Sequence, residues 1–152
     1  MNKIEIKEAL LEEVKELIFQ KIQVSEKMMN DAQESANNET KSSAGDKFET
    51  GRAMMHMERD KNAQQLSEAK RLQMFLTQIN PERFFDKVAF GSVVETTFGN
   101  YFISIAAGRL IVDGKKYFAI SPQAPLAKDM MQKEIGDEII FNDNPVKILD
   151  VF

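Results

Sequence analysis

Apolar residues recur every three or four positions in the first half of the chain and crowd into short β-rich runs in the second. From about Ile6 to Ala36 no proline or glycine interrupts, and Leu10, Val14, Leu17, Val24 and Met28 fall at spacings of three, four or seven. That is the stripe of a helix lying along a partner. Lys21 breaks the stripe, Ile22 beside it compensates, and Ala9, Ile18 and Ile22 widen it. At about 1.5 Å per residue such a helix runs on the order of 45 Å. Asn37 to Gly45 is a cluster of turn formers and caps. A second proline-free segment, Asp46 to Ile79, carries Leu66, Ala69, Leu72 or Gln73, Leu76 and Ile79 at helical spacing, and Asn80-Pro81 ends it. Two such helices with a short polar connection predict an antiparallel hairpin.

After Pro81 the pattern changes. The runs beginning at Val88, Tyr101, Arg109 and Lys116 are short and β-rich, with Gly99-Asn100 and Asp113-Gly114 as hairpin turns. Pro125 to Lys133 predicts a short helix with Leu126, Met130 and Met131 on one side, and two strands, from Glu138 and Val146, close the chain. The expected fold is α+β: a helical hairpin over residues 1–80 with its tip near 37–50, then a small antiparallel sheet around one helix over residues 81–152.

Composition narrows the function classes. The 152 residues suit one domain, or a small domain with an extended arm. No apolar run approaches a membrane span, and the first residues lack the apolar core of a signal peptide, so a cytoplasmic protein is expected. There is no cysteine and one histidine, His56, which removes disulfides, thiolate metal sites and a His-rich centre. A net charge of −4 argues against a general nucleic-acid binder. The first segment is acidic (Glu5, Glu8, Glu12, Glu13, Glu16) and the second more basic (Arg52, Arg59, Lys61, Lys70, Arg71), which favours antiparallel pairing of the two helices. No nucleophile-and-base signature, P-loop or dinucleotide fingerprint is present.

The chemistry that remains is at the hairpin tip. Asp46 and Glu49 follow Gly45 at an Asp-x-x-Glu spacing. That spacing suits a capping box, with the aspartate before the first helical residue and the glutamate three on. It also sets two carboxylates on one helical face, able to address one Mg²⁺. Two carboxylates rarely hold Mg²⁺ alone, so a metal here would be completed by another macromolecule's active site. His56, within Met54-Met55-His56-Met57, could be a general base, a phosphate contact or a packing residue. The methionines, with Met28 and Met29, fill the hairpin seam or form an adaptable surface. Phe48, between the acids, either folds onto the first helix or faces a partner.

On these residues the chain resembles the bacterial Gre transcript-cleavage factors. Gly45-Asp46-x-x-Glu49 is similar to the family's Gly-Asp-x-x-Glu-Asn tip, with Thr50 in place of asparagine. The run from Val88 resembles the strand that opens the family's second domain. The block from Ile120 through Gly136, Asp137 and Glu138 and the closing Lys147-Ile-Leu-Asp-Val also match. The resemblance implies an FKBP-like second domain and a hairpin that enters RNA polymerase through its secondary channel. It implies that Asp46 and Glu49 help hold a catalytic Mg²⁺ shared with the polymerase, which then hydrolyses the 3′ end of backtracked RNA. On this reading the protein is not an enzyme alone, its partner is RNA polymerase with nascent RNA reached indirectly, and no membrane or small-molecule substrate is involved. The chain departs from the family where Gly51-Arg52-Ala53-Met54 stands for Ala-Glu-Tyr-His, where Ala124 replaces serine, and where Gln132 replaces a helix-ending glycine. A non-catalytic occupant of the same channel is the second reading, and a hairpin protein unrelated to transcription a third. Peptidyl-prolyl isomerisation is suggested by fold analogy alone, since these spacings assemble no aromatic pocket.

Overall fold

The first helix, α1, spans Lys3–Glu39, some 55 Å at about 1.5 Å per residue. Asn2 caps it: its Oδ1 accepts from the Glu5 amide at 2.9 Å, while Glu5 Oε2 accepts from the Asn2 amide at 2.8 Å. This reciprocal box satisfies two amides that the first turn leaves open. The second helix, α2, spans Gly45–Leu76. The structure, a computed structural model, describes residues 1–39 and 45–152, without the side chains at positions 36, 39 and 45–49. α2 stops three residues short of the expected Ile79, because the amides of Thr77, Gln78 and Ile79 each bond three residues back in tightened turns.

The chain forms two compact units: Met1–Leu17 with Met74–Phe152, and Ile18–Gln73. The second unit is an antiparallel helix pair. Arg59 Nη1 donates to Gln33 Oε1 at 2.7 Å and Lys70 Nζ lies 3.7 Å from Glu26 Oε1, so α2 advances as α1 recedes. The α2 seam is close to expectation: Asn62, Leu66 and Ala69 are buried and Leu72 is half-buried, while Gln73 is exposed. On α1 the seam is turned by about one residue from the expected stripe. Ile18, Ile22, Ser25 and Ala32 are buried, whereas Val24 and Met28 are 57% and 45% exposed. Apolar count favoured Val24 and Met28, but close approach of two helices selects small Ser25 and Ala32.

In the first unit, a six-stranded sheet has the order β3-β4-β2-β1-β6-β5. Its strands are β1 (Val93–Thr96), β2 (Asn100–Ile103), β3 (Gly108–Val112), β4 (Lys115–Ile120), β5 (Glu138–Phe141) and β6 (Asn144–Val151). The sheet is mixed rather than wholly antiparallel, since β2 and β4 run parallel. The chain leaves β2, forms the outer strand β3, and turns at Asp113-Gly114 so that β4 fills the gap between them. The run from Val88 becomes a strand only at Val93. Gly91, at φ +90°, turns the chain, and Ser92 Oγ accepts from the Ala89 amide and donates to the Ala89 carbonyl.

Helix α3 (Pro125–Met130) covers one sheet face, burying Leu126, Ala127 and Met130 with Val94, Ile103 and Ile148. It ends before the expected Lys133: Gln132 takes φ +66°, the left-handed geometry that glycine most readily adopts. The opposite face buries Val93, Phe102, Tyr117 and Ala119. The start of α1 is tied to this unit, with Lys3 Nζ 2.9 Å from Asp150 and 5.0 Å from the centre of the Phe152 ring. Leu10 and Val14 of α1 and Leu76 are fully buried here as well.

Two buried polar groups set testable terms. Lys7 is 1% exposed; its Nζ donates to the Arg83 carbonyl and lies 4.9 Å from the centre of the Phe85 ring. Burial, and secondarily the Arg83 cation, brings its pKa from 10.5 to about 8. Below about pH 8 the ammonium is charged in both folded and unfolded chains. Between about 8 and 10.5 the unfolded chain keeps a proton that the folded one has released, so stability rises with pH across that window. The phenols of Tyr101 and Tyr117, pushed up by burial, act in the opposite sense above pH 10. Lys7→Met is expected to abolish the rise, worth at most on the order of 3 kcal/mol, when thermal unfolding is followed from pH 7 to 9.5.

Asn62 sits in the helix seam at 3% exposure, its Nδ2 without a partner among the described residues. A buried amide in a seam costs stability and specifies register. Asn62→Leu is therefore expected to stabilise the protein by about 1–2 kcal/mol in chemical unfolding. An unchanged or lower stability would show that Asn62 is satisfied in solution.

Candidate functional site

The site expected from the sequence lies where α1 hands over to α2. α2 begins at Gly45, so Asp46 is its second residue and Glu49 its fifth. A capping box needs the aspartate outside the helix, as Asn2 is outside α1. Here both acidic positions are helical, three residues apart, on one side of the first turns of α2. The side chains of Asp46, Phe48 and Glu49 lie outside the described residues, as does the segment 40–44.

Immediately beyond, the helix is described in full. Arg52 is exposed, and its Nε donates to Nε2 of His56, one turn on, at 3.3 Å. The other ring nitrogen, Nδ1, is buried and without a partner among the described residues. His56 is half-buried. To act as a base through Nε2 it would have to release Arg52. Arg52 puts a cation three residues after Glu49, one turn along α2. Met54 and Met57 are 63% and 72% exposed, so they form surface rather than seam. Met55 is half-buried on the seam side.

Farther from the tip the two helices are clamped. Half-buried Arg59 bonds Gln33 of α1, and Gln33 Nε2 donates to Asn37 Oδ1 at 2.9 Å. Arg59 also holds Asp60 through Nε and Nη2, at 3.2 and 2.9 Å. This chain was missed in reading the sequence, because Gln33 and Arg59 meet only through the hairpin register. The Arg52–His56 pair was also not drawn from the sequence, although its i, i+4 spacing carries the signal.

Other chemistry is sparse. Among the described residues, no three His, Asp or Glu side chains are grouped to hold a metal. A pair of carboxylates one turn apart at the tip suits Mg²⁺ only if other oxygen ligands come from elsewhere. An open depression lined by Lys21, Lys61, Gln64, Gln65 and Glu68 lies on the helix pair, with no enclosed apolar wall. Among the described residues no helix is long and apolar enough to cross a membrane.

No family model matches the chain, and no curated protein matches it. Among solved structures, one described as that of the transcription factor Gfh1 is 14% identical, with a TM-score of 0.37. That match covers 90% of this chain and 92% of that one. A likeness of this size supports no functional inference.

Proposed function

We propose that this protein is a Gre-like factor of RNA polymerase, whose hairpin enters the secondary channel and lends Asp46 and Glu49 to the polymerase active site. The observation that carries the reading is the placement of positions 46 and 49. They lie one turn apart inside the opening turns of α2, beyond the position of a helix cap. The resemblance of the tip and of the block from Ile120 to Glu138 supports the same partner.

On this reading the pair holds a Mg²⁺ that neither residue binds stably in the free protein; polymerase carboxylates and RNA oxygens supply its other ligands. The shared metal supplies Lewis-acid chemistry for hydrolysis of the phosphodiester near the RNA 3′ end. The protein's own contribution is placement: a long, clamped helix pair that carries two carboxylates to a centre it cannot build alone. The sheet unit docks outside the channel, and the protein works in the cytoplasm without a small-molecule substrate.

Arg52 favours a second reading. A cation one turn from Glu49, bonded to His56, opposes the build-up of negative charge that a metal site uses. A non-catalytic occupant of the channel, blocking cleavage factors or tuning initiation, keeps the same hairpin without needing the acids.

The two readings separate in one assay of RNA shortening in a stalled, backtracked polymerase complex. The first expects stimulation that falls on the order of a hundredfold in Asp46→Ala and in Glu49→Ala, with polymerase binding retained. Stimulation unchanged in both variants would falsify the metal role. Polymerase binding with no shortening, insensitive to either substitution, selects the second reading; absence of binding removes both.

A further inference from the structure

The outer strand β3 ends the sheet, and its hairpin with β4 fixes which way its backbone points. Val112 pairs with Lys115 across Asp113 and Gly114, whose φ angles are +52° and +75°. Two left-handed residues in a two-residue loop form a type I′ turn, whose closing pair exchanges both hydrogen bonds. Exchanging pairs then alternate with non-exchanging ones, so Val112 and Leu110 spend their backbone groups on β4. The N–H and C=O of Arg109 and Ile111 consequently point off the edge, and no bond outside the ladders takes them among the described residues.

The same two residues present their side chains together. Arg109 stands opposite Phe118 and Ile111 opposite Lys116, all four on the face that also bears Tyr101. The Tyr101 and Phe118 rings lie 6.1 Å apart. α3 buries Tyr101 farther in, but here Ile111 is 58% and Phe118 39% exposed, with Arg109 and Lys116 open to solvent. The carboxylates nearest along these strands are engaged: Asp113 with the N-terminal amine at 3.3 Å and Glu95 with Lys115 at 3.5 Å. Arg109 and Lys116 form no ion pair among the described residues. Charge on an edge strand commonly serves to discourage pairing. An edge that also carries exposed isoleucine and phenylalanine discourages only chains of like charge.

We infer that the β3 edge is a docking site for an extended segment of a protein partner, added as a seventh strand and carrying a carboxylate two residues from a branched apolar side chain. The carboxylate answers Arg109 and Lys116, the apolar residue covers Ile111 and Phe118, and the ladder supplies affinity that is blind to the remaining side chains. Outward backbone groups can extend a ladder only with another peptide. A single, partly covered phenylalanine offers little ring for base stacking, which disfavours RNA. This site is separate from the hairpin tip and goes beyond the polymerase reading.

Fluorescence anisotropy on the full chain tests it with a labelled peptide, acetyl-Thr-Thr-Glu-Thr-Val-Thr-Thr-amide, and the same peptide with lysine for glutamate. At low salt the glutamate peptide is expected to bind about tenfold more tightly, with the difference shrinking as salt rises. Arg109→Glu, which leaves Lys116 facing a new carboxylate, should abolish the preference. Ile111→Pro, which removes an outward N–H but no β3–β4 bond, should weaken both peptides. Should Ile111→Pro fail to fold, Arg109→Glu still decides. Equal affinities, no binding by about 1 mM, or a preference that survives Arg109→Glu overturns the proposal. Tighter binding of oligouridylate than of the glutamate peptide overturns it in favour of RNA.

Discussion

One helix has to satisfy two sets of neighbours. The buried stripe of α1 begins with Ile6, Lys7, Leu10, Leu11 and Val14 in the sheet-bearing unit and continues through Ile18, Ile22, Ser25 and Ala32 in the helix pair. Because α1 is unbroken from Lys3 to Glu39, its residues cannot rotate independently to suit each environment. The spacing therefore carries both jobs at once. Along 11, 14, 18, 22, 25 and 32 the steps are three, four, four, three and seven, an average of about 3.5 residues per turn, the repeat that keeps one stripe on a partner helix.

That constraint explains which apolar residues stay outside. Val24 and Met28 sit at good heptad spacing with Leu10 and Val14, yet lie on the flank of the seam. Two helices bury only the narrow stripe at their line of contact, so apolar residues one position off it stay exposed. Buried polarity within the first unit and the seam follows the same economy of space. Lys7 reaches a backbone carbonyl across an aromatic ring, and Asn62 occupies a seam position that a larger apolar group could fill. Such groups hold an arrangement in register at a cost in stability.

The Arg59–Gln33 bond ties the two helices together, Gln33 also holds Asn37 within α1, and the Arg52–His56 bond occupies Nε2 of the imidazole. The sheet follows a different logic. Its two faces are covered by α3 and by buried residues of the opposite side, whereas its β3 edge keeps backbone groups and mixed cationic and apolar side chains in the open.

Local chemistry was enough to read much of this molecule from its residues. The absence of proline and glycine through two long segments, the turn formers at 37–45, the Asp113-Gly114 hairpin and the Pro125 helix start all act over a few residues. The structure keeps the two long helices, the Asp113-Gly114 hairpin and the Pro125 helix start, with changed ends, while residues 40–44 lie outside the described residues. The α+β class and the Asp46/Glu49 spacing were legible for the same reason. What depended on distant residues was not. Which flank of α1 becomes the seam is decided by α2, since Ser25 and Ala32 win over Val24 and Met28 only when a second helix comes close. The parallel pairing of β2 with β4 depends on where β3 lies, which no run of four residues encodes. Lys7 reads in sequence as one more surface charge, and becomes a buried cation only because Arg83 and Phe85, some seventy-six residues on, close over it. Sequence by itself determined the elements and the chemistry they carry, because those rest on backbone preference and spacing. Tertiary structure alone decided which faces meet water, because burial is a property of pairs of surfaces.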